Sequence, residues 1–284
     1  MRARVNGVEL FFDVLGPGAR ADGARRAAKP ALVALHGGPG LDHAQWVPWL
    51  EPLADDLQIV VLDHRGNGRS SRPPLADCTL EAMADDVAAL VGLLGLDDVT
   101  LLGHSFGGMV ALVHALRHPG RARRLILSAT APSREFVDDA WAAVSARGTP
   151  AEIEAARHVL SGTLRDAAHF REAFGALAPL YQRRAVEPAP DRTVVNVDML
   201  DWFFSVGVKD YDVRARLGEI AVPVLVLAGR HDWICPPAQA EILARGIPGA
   251  RLVVFEESAH RLLREEPEKF LAAVREFASG SRQR

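Results

Sequence analysis

The segment Leu101-Leu-Gly-His-Ser-Phe-Gly-Gly108 decides how the rest of the sequence is interpreted. It contains the pattern G-x-S-x-G between a short apolar run at 99–102, predicted as a strand, and a predicted helix at 106–117. The turn is so tight that side chains two positions before and after Ser105 would clash, which explains Gly103 and Gly107. The Ser105 hydroxyl then projects beside the helix N-terminus, where the helix dipole favours negative charge. This pattern predicts a nucleophilic serine; the alternative is a glycine-rich packing turn with an idle serine.

On both sides of this segment, short apolar runs alternate with helical patterns. The runs predicted as buried strands lie at 31–35, 57–62, 99–102, 125–127, 224–227 and 251–255. Such alternation predicts an α/β fold, a mostly parallel sheet with helices on both faces. We also expect an edge strand at 8–14 and an exposed loop at 20–29.

One long stretch interrupts this alternation. Residues 133–212 are mostly helical in character and hold no clear buried strand, so they are predicted to be an inserted helical cap. Residues 1–132 and 213–284 then form the core. The cap is expected to cover the carboxyl ends of the strands, where sheets of this kind bind ligands.

A nucleophilic serine needs a base and an acid that orients the base. On this scaffold the chain order is serine, then acid, then histidine. Asp232 comes just after the run at 224–227, and His260 follows the last run at 251–255. Four other histidines fit less well: His104 within the strand–turn–helix elbow that holds Ser105, His231 with the wrong order relative to Asp232, and His158 and His169 in the insertion. A helix N-cap role for Asp232 and a solvated loop position for His260 are the alternatives.

The oxyanion of an acyl-transfer intermediate needs two backbone donors. The loop His36-Gly-Gly-Pro-Gly40 follows the run at 31–35, where this fold supplies one of them. Its glycines allow the backbone to approach a substrate closely, and Pro39 stiffens the loop. We predict that the amides of Gly38 and Phe106 form the oxyanion hole, the alternative being a plain Gly/Pro turn.

Composition excludes several other classes. The 284 residues are 49% hydrophobic and 24% charged, with a formal net charge of −3, which excludes dominant disorder and disfavours nucleic-acid binding. Cys78 and Cys235 are too few for a disulfide framework, and no Cys/His cluster indicates a metal. The charge-free stretch at 99–116 is broken by glycines and is not a membrane span. We expect a cytoplasmic protein without cofactor, metal or membrane; the oligomeric state stays open.

These motifs, in this order, resemble the α/β-hydrolase superfamily over nearly the whole chain. The loop His36-Gly-Gly-Pro-Gly40, together with Asp232-Trp-Ile-Cys-Pro236, resembles the proline iminopeptidase group of serine aminopeptidases. The resemblance implies a serine hydrolase that releases an N-terminal residue from a peptide. Hydrolysis of a carboxylic ester or lactone is the alternative. A non-catalytic receptor is disfavoured by the complete triad, and dehalogenase or epoxide hydrolase chemistry is disfavoured because those relatives carry Asp at the elbow.

An aminopeptidase must hold a free amine, which requires an acid near the site. In the family, glutamates from the cap and from beside the catalytic acid do this. Asp201 falls near the cap position, with Asp198 as a second candidate, although Asp201 on a solvated helix face is the alternative. Trp233, next to Asp232, offers only cation–π attraction. Trp202 and the two phenylalanines after it either line an acyl pocket or pack the cap onto the core.

Overall fold

The computed structural model describes residues 1–22, 25–184 and 192–280. Its strands, in chain order, are β1 (Arg2–Val5), β2 (Val8–Leu15), β3 (Ala19–Asp22), β4 (Arg25–Ala28), β5 (Ala31–Leu35), β6 (Gln58–Leu62), β7 (Val99–His104), β8 (Arg124–Ser128), β9 (Val224–Gly229) and β10 (Arg251–Phe255). Eight of them form one sheet in the order β1-β2-β6-β5-β7-β8-β9-β10. All neighbours from β6 to β10 are parallel, and β1 and β2 pair antiparallel at one end. The predicted fold class is confirmed.

Helices cover both faces of this sheet. They are α1 (Leu80–Leu93), α2 (Phe106–Arg117), α3 (Glu135–Arg147), α4 (Pro150–Ser161), α5 (Ala167–Tyr181), α6 (Val197–Trp202), α7 (Pro237–Gly246), α8 (Leu262–Glu265) and α9 (Pro267–Ala278). Because successive side chains of a strand point to opposite faces, Val33 and Leu35 join the apolar cluster under α1, α2 and α7, while Leu32 and Ala34 join the cluster under α9. The central strands β5 to β9 are therefore buried on both sides.

The amino-terminal region differs from the prediction in two places. The strand at Val8–Leu15 is not at the edge, because Arg2–Val5 pairs with it on its outer side. Ala3 and Val5 are buried while Arg2 and Arg4 are exposed, so this four-residue strand alternates too briefly for its pattern to be recognised. The expected loop at 20–29 is replaced by β3 and β4, which form a separate antiparallel hairpin.

Between β8 and β9 the chain forms α3 to α6 and a π-helical turn at Phe203–Gly207; residues 133–212 within this stretch are called the insertion. Among its described residues, 133–184 and 192–212, there is no strand; residues 185–191 of the predicted cap lie outside the description. An isolated bridge between Ser133 and Asp212 joins the two ends of the insertion. Within the described part of the chain, every helix is too short or too polar to cross a bilayer.

Candidate active site

Ser105 occupies the turn between β7 and α2 in a backbone conformation that favours glycine. Its φ is +52° and its ψ is −121°, and a serine is held there only when its surroundings impose the strain. The Ser105 N–H donates to the Ser128 carbonyl at 2.9 Å, and the Thr130 hydroxyl donates to the Ser105 carbonyl at 2.7 Å. Both peptide groups of the residue are thereby held, and the side chain projects from the carboxyl edge of the sheet.

The two glycines of the elbow allow β7, the start of α2 and the end of β5 to pack with their main-chain atoms in contact. A Cβ on Gly103 would collide with the Gly107 carbonyl, and one on Gly107 would collide with the Leu35 carbonyl and lie 2.6 Å from that of His36. All of these obstacles are main-chain atoms of packed elements, so none can turn aside as a flexible side chain would. The requirement for glycine on both sides of the serine is therefore steric.

Asp232 and His260 come together although 28 positions separate them in the chain. The Nδ1–H of His260 donates to Asp232 Oδ2 at 2.7 Å, and both side chains are almost fully buried. The other oxygen, Oδ1, accepts from the backbone N–H groups of Ile234 at 2.9 Å and Cys235 at 3.0 Å. With its proton on Nδ1, the neutral ring of His260 has Nε2 free to accept one.

Ser105 lines the same cavity as His260. The thiol of Cys235 lies beside the Ser105 side chain, and burial raises the pKa of that thiol well above its ordinary value. Among the described residues no hydrogen bond joins Ser105 to His260. Catalytic hydrogen bonds are often long or poorly aligned without substrate, so this geometry is compatible with His260 acting on Ser105.

The predicted oxyanion donors lie beside the elbow. Gly38 has a φ of +54° and lines the cavity, as does Phe106. A Cβ on the neighbouring Gly37 would lie 3.2 Å from the Ser105 Cβ, so this loop is in direct contact with the elbow. The amide of Gly37 is occupied, since it donates to the Gln45 side chain at 3.0 Å. The amide of Phe106 begins α2 and has no partner within the helix.

His104 is the second imidazole of the site. Its ring centroid lies 4.8 Å from that of His260, and it is partly buried on the cavity wall. Burial, reinforced by the nearby His260, lowers its pKa well below that of an ordinary histidine. His104 is therefore neutral near pH 7 and adds no positive charge beside His260.

The cavity has a volume of about 470 Å³ and lies between the sheet edge and the helical insertion. Its wall is mostly apolar on the insertion side. The insertion residues on it with aromatic or aliphatic side chains are Phe136, Val159, Phe174, Tyr181, Leu200, Phe203 and Phe204. Phe203 and Phe204 line the pocket, and Phe203 also packs onto Phe106 of the core with ring centroids 5.0 Å apart, so the structure shows both of the predicted roles.

The three predicted substrate-binding residues do not line this cavity. Asp201 faces the insertion instead, where its carboxylate accepts from the Leu164 N–H at 3.1 Å, and burial raises its pKa. Trp202 packs against Gly207 within the insertion, and Trp233 is fully buried with its ring 5.5 Å from that of Tyr181. Asp198 is exposed. The sequence pattern placed these residues in segments near the cavity, but it did not predict which way their side chains point.

The charged groups on the wall are few. Among the described lining residues, Asp42 is the only acid, and both of its oxygens are engaged. Oδ2 pairs with Arg69 at 2.6 Å and accepts from the Val194 N–H at 2.8 Å, while Oδ1 accepts from the Ala44 N–H at 3.0 Å. Two cations, Arg261 and Arg264, also line the cavity, and nothing in their sequence pattern marked them. In the described part of the chain no three acidic, His or Cys side chains are grouped to hold a metal.

Comparison with known proteins agrees with this architecture. A family model described as alpha/beta hydrolase fold matches residues 30–267. A proline iminopeptidase of Pestalotiopsis fici is 28% identical over 95% of this chain and 96% of its own length. A putative carbamate hydrolase of Agrobacterium fabrum is 30% identical, with coverage of 89% and 95%. The crystal structure of a Mycobacterium smegmatis proline iminopeptidase matches with a TM-score of 0.77 at 25% identity, covering 98% and 97%.

Proposed function

Since the chain belongs to the alpha/beta hydrolase fold family, we propose that it is a serine hydrolase acting through an acyl-enzyme. The observation that carries the proposal is the buried His260–Asp232 hydrogen bond of 2.7 Å on the cavity that the strained Ser105 also lines. A hydrolase needs its nucleophile, base and orienting acid at one edge of the sheet, and these three residues meet that need.

In the proposed mechanism Nε2 of His260 takes the proton of the Ser105 hydroxyl as the serine oxygen attacks the substrate carbonyl. Asp232 holds the ring and stabilises its cation. The amides of Gly38 and Phe106 bind the oxyanion.

Collapse of the tetrahedral intermediate requires a proton on the leaving group, and His260 returns the one that it took. A water molecule, deprotonated by the same imidazole, then attacks the ester formed on Ser105 and releases the acid. In this proposal residues 1–132 and 213–284 form the catalytic core, and residues 133–212 form a cap that encloses the acyl group.

For the substrate we propose a carboxylic ester with an apolar acyl chain. The insertion supplies aromatic and aliphatic side chains to the wall, which suit an acyl chain. A peptide with a free amine would need an uncommitted carboxylate, and Asp42, the one acid on the described wall, already has three partners.

Aminopeptidase activity is the second candidate, because two of the relatives above are named proline iminopeptidases. In that reaction the amine would have to be held by an acid other than Asp42. Asp201, predicted for this task, accepts from Leu164 and would have to turn towards the cavity. Glu187 and Asp191 belong to the stretch outside the described residues, so they enter only as targets for mutation.

The test pairs two chromogenic substrates, 4-nitrophenyl butyrate and the 4-nitroanilides of proline and alanine. We expect ester cleavage by the wild type and a loss of about 10⁴- to 10⁶-fold in kcat for Ser105→Ala. Ser161→Ala, which removes an exposed hydroxyl of α4, is the matched control and should keep full activity. A fluorophosphonate should label the wild type and Ser161→Ala but not Ser105→Ala.

Full turnover by a folded Ser105→Ala protein would overturn the proposal. Anilide cleavage faster than ester cleavage would move the protein to the aminopeptidase candidate. In that case the loss caused by Asp201→Asn, Glu187→Gln or Asp191→Asn would identify the acid that holds the amine.

A further inference from the structure

Arg261 follows His260 directly and lines the cavity, yet its partners are neutral. Its Nη1 donates to the Gln182 side-chain oxygen at 2.7 Å, and its guanidinium carbon lies 5.8 Å from the centre of the Tyr181 ring. Most of the side chain is removed from solvent, and this desolvation lowers its pKa below the usual arginine range. An arginine nevertheless remains charged at neutral pH, so a cation stands on an apolar wall.

No carboxylate of the described residues lies within ion-pair distance of Arg261. Glu265 is the acid whose field acts on it, but its two oxygens accept from the backbone N–H groups of Arg183 at 2.7 Å and Ala259 at 2.9 Å. Asp42, on the same wall, is paired with Arg69. Within the described part of the chain, the positive charge next to the proposed base therefore has no ion-pair partner, and Glu265, beyond ion-pair distance and already hydrogen-bonded, offsets it only in part.

A partly buried cation is costly unless an anion or several hydrogen bonds compensate it. The planar guanidinium matches a carboxylate, which it binds with two parallel hydrogen bonds. Gln182 occupies one nitrogen, Nη1, so donors remain for a ligand entering the cavity. A free amine, in contrast, would be repelled by this charge.

We propose that Arg261 binds a carboxylate of the substrate, so that the substrate class is an ester carrying a carboxylate group. The inference rests on the proposed function and narrows it from esters in general to anionic esters. Arg261 is a specificity-determining residue in this scheme, and the chemical step still belongs to Ser105 and His260.

Turnover of matched esters tests the inference. Mono-(4-nitrophenyl) glutarate and 4-nitrophenyl valerate have acyl chains of the same length and differ in a terminal carboxylate. In Arg261→Met we expect kcat/KM for the glutarate ester to fall about 10- to 100-fold and that for valerate to stay within threefold. Arg261→Lys should retain part of the preference, because it keeps a point charge without the planar fork.

A second pair, 3-carboxy-4-nitrophenyl butyrate and 4-nitrophenyl butyrate, places the carboxylate on the leaving group.

Arg245→Met is the matched control, since Arg245 is exposed on α7 and pairs with Glu241 on the surface. It should leave both ratios unchanged. Equal ratios in the wild type and Arg261→Met, for both ester pairs, would overturn the inference while leaving ester hydrolysis by Ser105 in place.

A binding measurement decides the role of Arg261 even where neither ester is hydrolysed. Calorimetry on Ser105→Ala compares monomethyl glutarate with methyl valerate. We expect tighter binding of the glutarate by about tenfold or more, and loss of this preference in Ser105→Ala/Arg261→Met. Equal affinity for the two probes, or a preference that survives the second substitution, would overturn the inference. Absence of ester turnover with a retained binding preference would instead count against the proposed ester hydrolysis alone.

Discussion

The elbow at the sheet edge and the helical insertion line the same cavity by different physical means. At the elbow, main-chain atoms fix the geometry: Ser105 has φ +52°, and a Cβ on Gly107 would meet the carbonyls of β5 and the following loop. In the insertion, side chains make the wall, and a Cβ on Gly175 of α5 would meet nothing within 4 Å. The position of the nucleophile thus depends on backbone packing that tolerates no added atom, whereas the shape of the substrate pocket depends on interchangeable side chains.

Adding one methyl group at each place should give the largest contrast. We expect Gly107→Ala to lower the free energy of unfolding by about 3 kcal/mol or more and kcat by over 100-fold, because two strand-end carbonyls must move. Gly175→Ala lies mid-helix with open space around it and should stabilise the protein by about 0.5–1 kcal/mol. Urea unfolding and ester hydrolysis measure both variants. Similar effects of the two substitutions would remove the distinction between the regions.

Acid should destabilise the core around α2, which carries the elbow. His114 on this helix is buried, and desolvation lowers its pKa to about 4. Neither ring nitrogen has a hydrogen-bond partner among the described residues. The unfolded chain, with a histidine pKa near 6.5, binds a proton below that pH while the folded chain stays neutral. The stability that His114 contributes is therefore complete above about pH 6.5 and is lost as the pH falls towards 4.

From pH 8 to pH 5 this single group should lower the free energy of unfolding by about 2 kcal/mol. His114→Leu should remove that part of the pH dependence and keep ester hydrolysis at pH 8. Urea unfolding at several pH values gives the slopes. A slope that His114→Leu leaves unchanged would show that protonation of this histidine does not limit stability. The pKa values of His36, His64 and His104 are lowered in the same direction, so they add to the remaining slope.

The sequence predicts the backbone-determined features of this protein better than the features that depend on side chains. The helix Phe106–Arg117 and the strand Arg251–Phe255 occupy the predicted residues. Asp232 and His260 were paired from their order along the chain, and the structure joins them by a 2.7 Å hydrogen bond. These features depend on local steric rules or on strand order. The carboxylate of Asp201, predicted to hold an amine, instead accepts from Leu164, a contact across 37 positions that no local pattern contains.

Two further features, a charged residue of the cavity wall and an edge strand, were not predicted, because a short stretch of sequence does not reveal them. Arg261 was not singled out, because an arginine in a loop carries no signal until burial and the lack of an acidic partner are known. The edge strand Arg2–Val5 was missed because four alternating residues are too few to define a period. Backbone-imposed features can be inferred from one sequence, whereas features set by distant side chains need the folded chain.

The smallest effect is expected where the two regions meet. Asn196, at the start of α6, is buried and donates from Nδ2 to the Gly66 carbonyl at 2.8 Å, while its N–H donates to the carbonyl of Gly40, in the loop after β5, at 2.8 Å. Asn196→Ala leaves the Gly66 carbonyl without this donor but keeps the backbone bond, so we expect a loss of about 1 kcal/mol in unfolding free energy.

If this contact also holds the insertion against the loop after β5, KM for the neutral ester should rise severalfold while kcat changes less, because the cavity wall shifts and the proposed catalytic residues do not. Steady-state kinetics and urea unfolding of Asn196→Ala separate the two effects. A lower stability with unchanged KM would mean that Asn196 fastens the insertion without shaping the site. An unchanged stability would mean that water replaces the lost hydrogen bond, and that the junction depends on the main-chain bond to Gly40 instead.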